Sequence, residues 1–185
     1  MRNLLVVVDM VNGFVNFGAL ADNKINKITP TIINLIKDAK CKGMDIIGFK
    51  DCHSKDDEEF NEYPPHCLAG TLESDLIPEL KPYENDMYLI NKNTTNGFKT
   101  EKFHAIASNI EYDNVYVVGC CTDICVKGFV ESYISFNRLA GRQTNVVVIE
   151  NACYTFDGPN HNAEKMHAKA IHEMREAGAK IVRVN

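Results

Sequence analysis

The chain has no surplus of basic residues, no long apolar run and no cysteine pattern that could pair throughout. Lysine and arginine total 20 against 25 aspartates and glutamates, leaving a net charge of −5. That balance offers no basic patch for nucleic acid and no polybasic anchor for a membrane surface. The apolar runs fall far short of the roughly 20 residues a membrane-spanning helix needs. No low-complexity segment or internal repeat interrupts the chain. The first residues enter a strand pattern at once, so no stretch reads as a signal peptide. Seven cysteines is a high count but an odd one, and their scatter is unlike a compact disulfide framework. They read as free thiols, and the chain as a protein of a reducing cytoplasm. The length of 185 residues and the ordinary hydrophobic content predict one domain spanning 1–185.

What is present is alternation. Leu4 to Val8 is an apolar, largely β-branched run that stops at Asp9. Ile25, Ile28, Ile32, Leu35, Ile36 and Ala39 follow helical spacing, with Pro30 near the first turn and Gly43 as a stop. Met44 to Phe49 predicts a second strand leading to Asp51, and Met87 to Ile90 a third leading to Lys92. Thr100 can cap a helix carrying Phe103, Ile106 and Ala107. Val115 to Val118 predicts a strand that ends at Gly119, followed by a helix from about Thr122 to Leu139. Asn145 to Ile149 predicts another strand. A last helix with Met166, Ala170, Ile171 and Met174 closes at Gly178 and leads into a strand from Lys180 to Val184.

Strands separated by helices predict an α/β fold with a doubly wound parallel sheet. Ligands of such sheets bind outside the carboxyl ends of the strands. Asp9, Asp51, Lys92 and the Gly119 turn all fall at such ends, which argues that they share one site. The stretch from Asp51 to Pro82 is the longest irregular region, and long loops within domains are often functional.

The segment Gly119-Cys120-Cys121-Thr122-Asp123-Ile124-Cys125-Val126 follows the fourth predicted strand. Thr122 and Asp123 can cap the next helix, which would put Cys125 in its first turn. Helix N-termini favour a thiolate over a thiol. A cysteine taken alone is more often a small buried residue, and Cys120 and Cys121 read as packing residues of the turn. Asp9 alone reads as a cap and Lys92 alone as a solvated lysine. Together the three make chemical sense. A carboxylate can take the thiol proton and return it to a leaving amine. A nearby ammonium can orient that carboxylate and favour anionic forms.

Asp51-Cys52-His53 and Tyr63-Pro64-Pro65-His66 form a second constellation. Asp51 and His53 point the same way in an extended chain, and His66 follows a rigid Pro-Pro. Two imidazoles and a carboxylate suit zinc, manganese or iron with water positions left open. Glu59 could add a fourth ligand. The alternative is a polar surface loop with His66 satisfied by backbone. Cys52 and Cys67 flank these residues and are expected to point away. His104, His161, His167 and His172 fall in helical or capping contexts and read as solvated.

These residues resemble the isochorismatase-like cysteine hydrolases, and among them the nicotinamidases. The match runs through the chain in order: Val-Val-Val-Asp9-Met with Phe14 after it, Asp51-x-His53, Pro64-Pro65-His66 leading to Gly70-Thr71, Lys92, and Gly119-x-x-Thr122-Asp123-x-Cys125-Val126. The resemblance implies a six-stranded parallel sheet flanked by helices, with Asp9, Lys92 and Cys125 as a catalytic triad. It implies a cis peptide between Cys120 and Cys121, and an oxyanion hole from the N–H groups of Cys121 and Cys125. It also implies a metal, zinc first, that binds a pyridine nitrogen, with Phe14 and Tyr63 lining the ring pocket. Tyr63 stands where relatives often carry tryptophan, and this chain has none. The expected activity is metal-dependent hydrolysis of nicotinamide or a close pyridine carboxamide to the acid and ammonia. Another amide or ureide hydrolase of the family is the alternative, and a non-catalytic flavodoxin-like binding domain is a third reading. The expected partner is a small-molecule amide, not nucleic acid or membrane, with a homo-oligomer left open.

Overall fold

The computed structural model describes residues 1–185. Six strands form a single parallel sheet: β1 (Asn3–Val8), β2 (Asp45–Asp51), β3 (Tyr88–Lys92), β4 (Asn114–Gly119), β5 (Asn145–Cys153) and β6 (Lys180–Val182). Their order is β3-β2-β1-β4-β5-β6. The chain winds outward from β1 to β3, returns to place β4 beside β1, and winds outward again. The crevice between the carboxyl ends of β1 and β4 is therefore the switch point at which such folds bind ligands.

The central strands carry near-continuous apolar runs because both of their faces are covered. Leu5 and Val7 pack on one face with Ile32, Ile36 and Ala39 of the helix Thr29–Cys41. Leu4, Val6 and Val8 pack on the other with Phe103 of the helix Glu101–Asn109, and Phe129 and Tyr133 of the helix Lys127–Leu139. Ile171 and Met174 of the helix Ala163–Ala177 join this second face. With the short helix Asn12–Val15 that follows β1, these are α1 to α5 in chain order. Each large apolar side chain removed from water contributes about 1.5–3 kcal/mol.

Four local readings differ from the structure. The helical spacing from Ile25 to Ala39 is split between a 3-10 turn, Asn23–Ile28, and α2, with Pro30 in the first turn of α2. β5 runs four residues past Ile149 to Cys153, with a register shift against β4 between Val117 and Gly119. The final strand stops at Val182. Thr122 and Asp123 do not cap α4 with their side chains: residues Thr122–Val126 form a π turn that runs directly into α4, closed by the Val126 N–H donating to the Cys121 carbonyl at 3.1 Å. Such turns recur at functional sites. No helix is long and apolar enough to cross a membrane.

Candidate active site

Sheet register brings three of the strand-end residues together. Asp51 pairs with Lys92 across β2 and β3, and Val8 pairs with both Phe49 and Gly119. Asp9 follows Val8 in the left-handed region at φ 52, uncommon for a residue with a side chain. Gly119 sits at φ 117, where any side chain would collide with the Val8 backbone. That glycine lets the nucleophile turn press against the end of β1. The next peptide, Cys120–Cys121, is cis.

Lys92 is the hub. Its Nζ lies 2.8 Å from Asp9 Oδ2, 2.7 Å from Asp51 Oδ1 and 3.9 Å from Cys125 Sγ. All four residues are at most 5% exposed. Asp9 Oδ1 has no hydrogen-bond partner. Burial pushes the Asp9 carboxyl up to about 6, against the pull of Lys92. Burial also pushes the Cys125 thiol well above its ordinary value, with Lys92 pulling down and Asp9 pushing up. Burial thus works against the thiolate that the helix start favours. Cys125 lies in the π turn that runs straight into α4, the first turn of one continuous helical stretch, but desolvation there acts against the favourable charges. A carboxylate raised to about 6 beside this thiol can act as its base at neutral pH. Lys92 keeps its proton, because the Asp9 and Asp51 carboxylates outweigh its burial.

Asp51 faces two ways. While Oδ1 takes Lys92, Oδ2 lies 2.8 Å from His53 Nε2 and 3.1 Å from His66 Nε2. Burial alone would raise the Asp51 carboxyl, but Lys92 and the two histidines hold it well below the usual range. One ligand atom from each of Asp51, His53 and His66 falls within 4.8 Å of the others. The donor set fits a divalent transition metal. The His66 Nδ1–H donates to the Pro64 carbonyl at 2.8 Å, which turns Nε2 toward the cluster as the ring atom free to bind a metal. His53 Nδ1 is buried and lies 3.3 Å from Asp57 Oδ2 without a hydrogen bond between them. Donors bound at about 2.0–2.1 Å to one ion stand roughly 3 Å apart, the spacing of Asp51 Oδ2 from each histidine.

Glu59 does not join this group. Its Oε1 lies 3.8 Å from His66 Nε2, and burial raises its carboxyl. It comes from a 3-10 turn, Glu58–Asn61, rather than from a strand end. Cys67 points away from the ligands: its sulfur packs where a side chain on Gly13 would have to go.

Cys125 of the triad and His66 of the histidine pair open on one cavity of about 200 Å³, lined also by Cys121, Phe14, Tyr63 and Phe156 among others. Phe14 stands 5.6 Å from the His66 ring, centroid to centroid, and Tyr63 6.3 Å. No turn or loop carbonyl accepts from the Cys121 N–H. Phe60 packs 5.2 Å from His53 and 5.5 Å from His66. Nothing in the sequence singles out Phe60 or Phe156, although Phe156 follows β5 and so sits at one more carboxyl strand end. His161 and His167 are not simply solvated. His161 holds Asp123 at 2.7 Å, and the half-buried His167 holds Thr122 at 2.9 Å. All seven cysteines are unpaired.

The family model described as "Isochorismatase domain" matches residues 3–185. Nicotinamidase 1 of Arabidopsis thaliana is 34% identical over 96% of this chain and 84% of its own. The fold superposes with TM-score 0.80 on N-carbamoylsarcosine amidase from Thermoplasma acidophilum, 27% identical over 99% of this chain and 96% of that one. It superposes with TM-score 0.78 on the pyrazinamidase of Pyrococcus horikoshii in complex with zinc, 25% identical over the whole of both chains.

Proposed function

The chain belongs to the isochorismatase family, and from that premise we propose that it hydrolyses nicotinamide, or a close pyridine carboxamide, through a thioester on Cys125. The relatives and the fold support amidase activity. One observation carries the finer reading: a single small cavity is lined by both Cys125 and His66. A flat ring can therefore reach the metal-type cluster while its carboxamide reaches the sulfur.

The steps follow from charge and protonation. Asp9 takes the Cys125 proton as the sulfur attacks the amide carbon. The N–H groups of Cys121 and Cys125 receive the developing oxyanion. Asp9 then gives its proton to the departing nitrogen, releasing ammonia and leaving an acyl-thioester. It takes a proton from the water that attacks the thioester, and returns it to the Cys125 sulfur as the acid leaves. Lys92 stays charged throughout and offsets the negative charge that passes between Asp9 and Cys125. Asp51, His53 and His66 would hold the metal, zinc first with manganese or iron as alternatives, and a bound ion there supplies a Lewis-acid site for the pyridine nitrogen.

A ureide hydrolase is the second reading, favoured by the similarity to N-carbamoylsarcosine amidase. Against it, Glu59 is the only Asp, Glu, Lys or Arg side chain lining the cavity, so no lysine or arginine there meets a substrate carboxylate. The test is ammonia release from nicotinamide by the purified protein, with and without chelator. Release that is lost in Cys125→Ala supports the reading, and full activity in that variant overturns it.

A further inference from the structure

The loop after β5 is tied to the turn that carries Cys125. Asp123, two residues before Cys125, accepts from Thr155 Oγ1 at 2.6 Å through one oxygen. Its other oxygen lies 2.7 Å from His161 Nε2. The other ring nitrogen of His161, Nδ1, lies 2.8 Å from the Phe156 carbonyl. A carboxylate and a carbonyl can only accept, so both bonds are made together only when both ring nitrogens carry hydrogen. The His161 ring is therefore an imidazolium in this arrangement. It stacks on the Phe156 ring at 3.9 Å and 4°, the geometry of a cation over an aromatic face. Phe156 in turn lines the cavity that holds Cys125. Gly158 and His161 exchange two backbone hydrogen bonds, which closes the intervening turn and returns the imidazole to Phe156.

We propose that His161, clamped by Asp123, is a positioning residue that sets Phe156 as a flat wall of the cavity and so selects aromatic over aliphatic acyl groups. The inference rests on the amidase reading for its substrate and on the Asp123–His161–Phe156 contacts for its residue. His161 touches no reacting atom. It acts through the ring it supports, while the Asp123 clamp fixes that wall relative to the nucleophile turn. The wall then contributes mainly to binding the ring, and the chemical step at Cys125 proceeds as before. Losing His161 should therefore weaken recognition of aromatic substrates without slowing the chemistry on small ones.

The experiment compares the wild type with His161→Gln, which keeps an amide donor for Asp123 but removes the flat ring. His161→Phe is the complement, keeping the stack and leaving Asp123 without this partner. His161→Gln should raise KM for nicotinamide about tenfold while kcat changes less than about twofold, with KM for isobutyramide unchanged. His161→Phe should recover part of the lost KM, because the stack is kept while the Asp123 clamp is lost, and a KM no better than that of His161→Gln overturns the role of the stack. Equal changes for both amides, or none for either, overturn the proposal. A second readout does not depend on the natural substrate: the rates at which N-phenyliodoacetamide and iodoacetamide alkylate Cys125, followed on the Cys125 peptide by mass spectrometry. The ratio of aromatic to small reagent should fall several-fold in His161→Gln and return in part in His161→Phe. An unchanged ratio overturns the proposal even if nicotinamide is not hydrolysed, whereas a changed ratio with no hydrolysis supports it and removes only the proposed substrate.

Discussion

The two sides of Asp51 are built differently. On one side, Asp9 and Lys92 stand at the ends of sheet strands whose backbones are fixed by ladder pairing, Asp51 with Lys92 and Val8 with Phe49 and Gly119. On the other, His53 and His66 come from a loop. That loop is held by one isolated parallel bridge between His53 and Leu68, made by the His53 N–H donating to the Cys67 carbonyl at 3.0 Å and the Ala69 N–H donating to the His53 carbonyl at 2.9 Å. The strand side sets charged groups in direct hydrogen-bond contact. The loop side gathers ligands around a position that a ring nitrogen can share. Damage to the strand side should therefore appear in kcat, and damage to the loop side in KM for ligands that use the metal.

The sharpest break comes from Cys125→Ala, which should lower kcat for every amide by at least about 10⁴-fold. Steady-state ammonia release checks it, with circular dichroism to show that the fold survives. Next is Asp9→Asn, which removes base and acid together and should cost about 10³-fold in kcat. The same residue sets the pH profile. Asp9 must be deprotonated to take the thiol proton, and burial raises its carboxyl to about 6. The acid limb of kcat/KM should then fall as pH drops through about 6, rather than near the ordinary aspartate value of about 4. In Lys92→Met the limb should move to higher pH, because the ammonium that favours the carboxylate is gone. A limb that stays in place in this variant uncouples the pair.

A smaller and different effect belongs to the histidine side. His53→Ala should lose bound metal, raise KM for nicotinamide about 10–100-fold, and leave kcat for an acyclic amide within a few-fold. Metal content by mass spectrometry and paired kinetics on the two substrates separate these outcomes. Equal losses on both amides would erase the distinction between the two sides. The smallest effect is expected for Glu59→Gln. With Oε1 3.8 Å from His66 Nε2 and outside the three-residue cluster, its loss should weaken metal affinity less than about fivefold.

The contrast also explains what the sequence could reveal. Asp9, Asp51, Lys92 and Gly119 are legible because apolar runs mark strands and the residue after each run marks a strand end. Parallel winding then gathers those ends without knowledge of any contact. The π turn is not legible. Thr122 and Asp123 carry the composition of a helix cap, but both side chains are drawn instead into bonds with His167, His161 and Thr155. Those partners lie 32 to 45 residues later, beyond any local pattern. The state of the thiol escapes the sequence for a related reason. A helix-start position can be read from the chain, whereas complete burial beside Asp9 requires the fold. Phe60 and Phe156 stay hidden because an aromatic residue in a loop carries no sign of which cavity it will face.

The central claim is that Cys125 carries the acyl group during amide hydrolysis. Acid-quenching the protein during turnover of nicotinamide, and mapping its cysteine peptides by mass spectrometry, tests this directly. A nicotinoyl adduct should appear on the Cys125 peptide, disappear when substrate is exhausted and form about 10³-fold more slowly in Asp9→Asn. Turnover with an acyl group found only on Cys120 or Cys121, or an adduct that never decays, would contradict it.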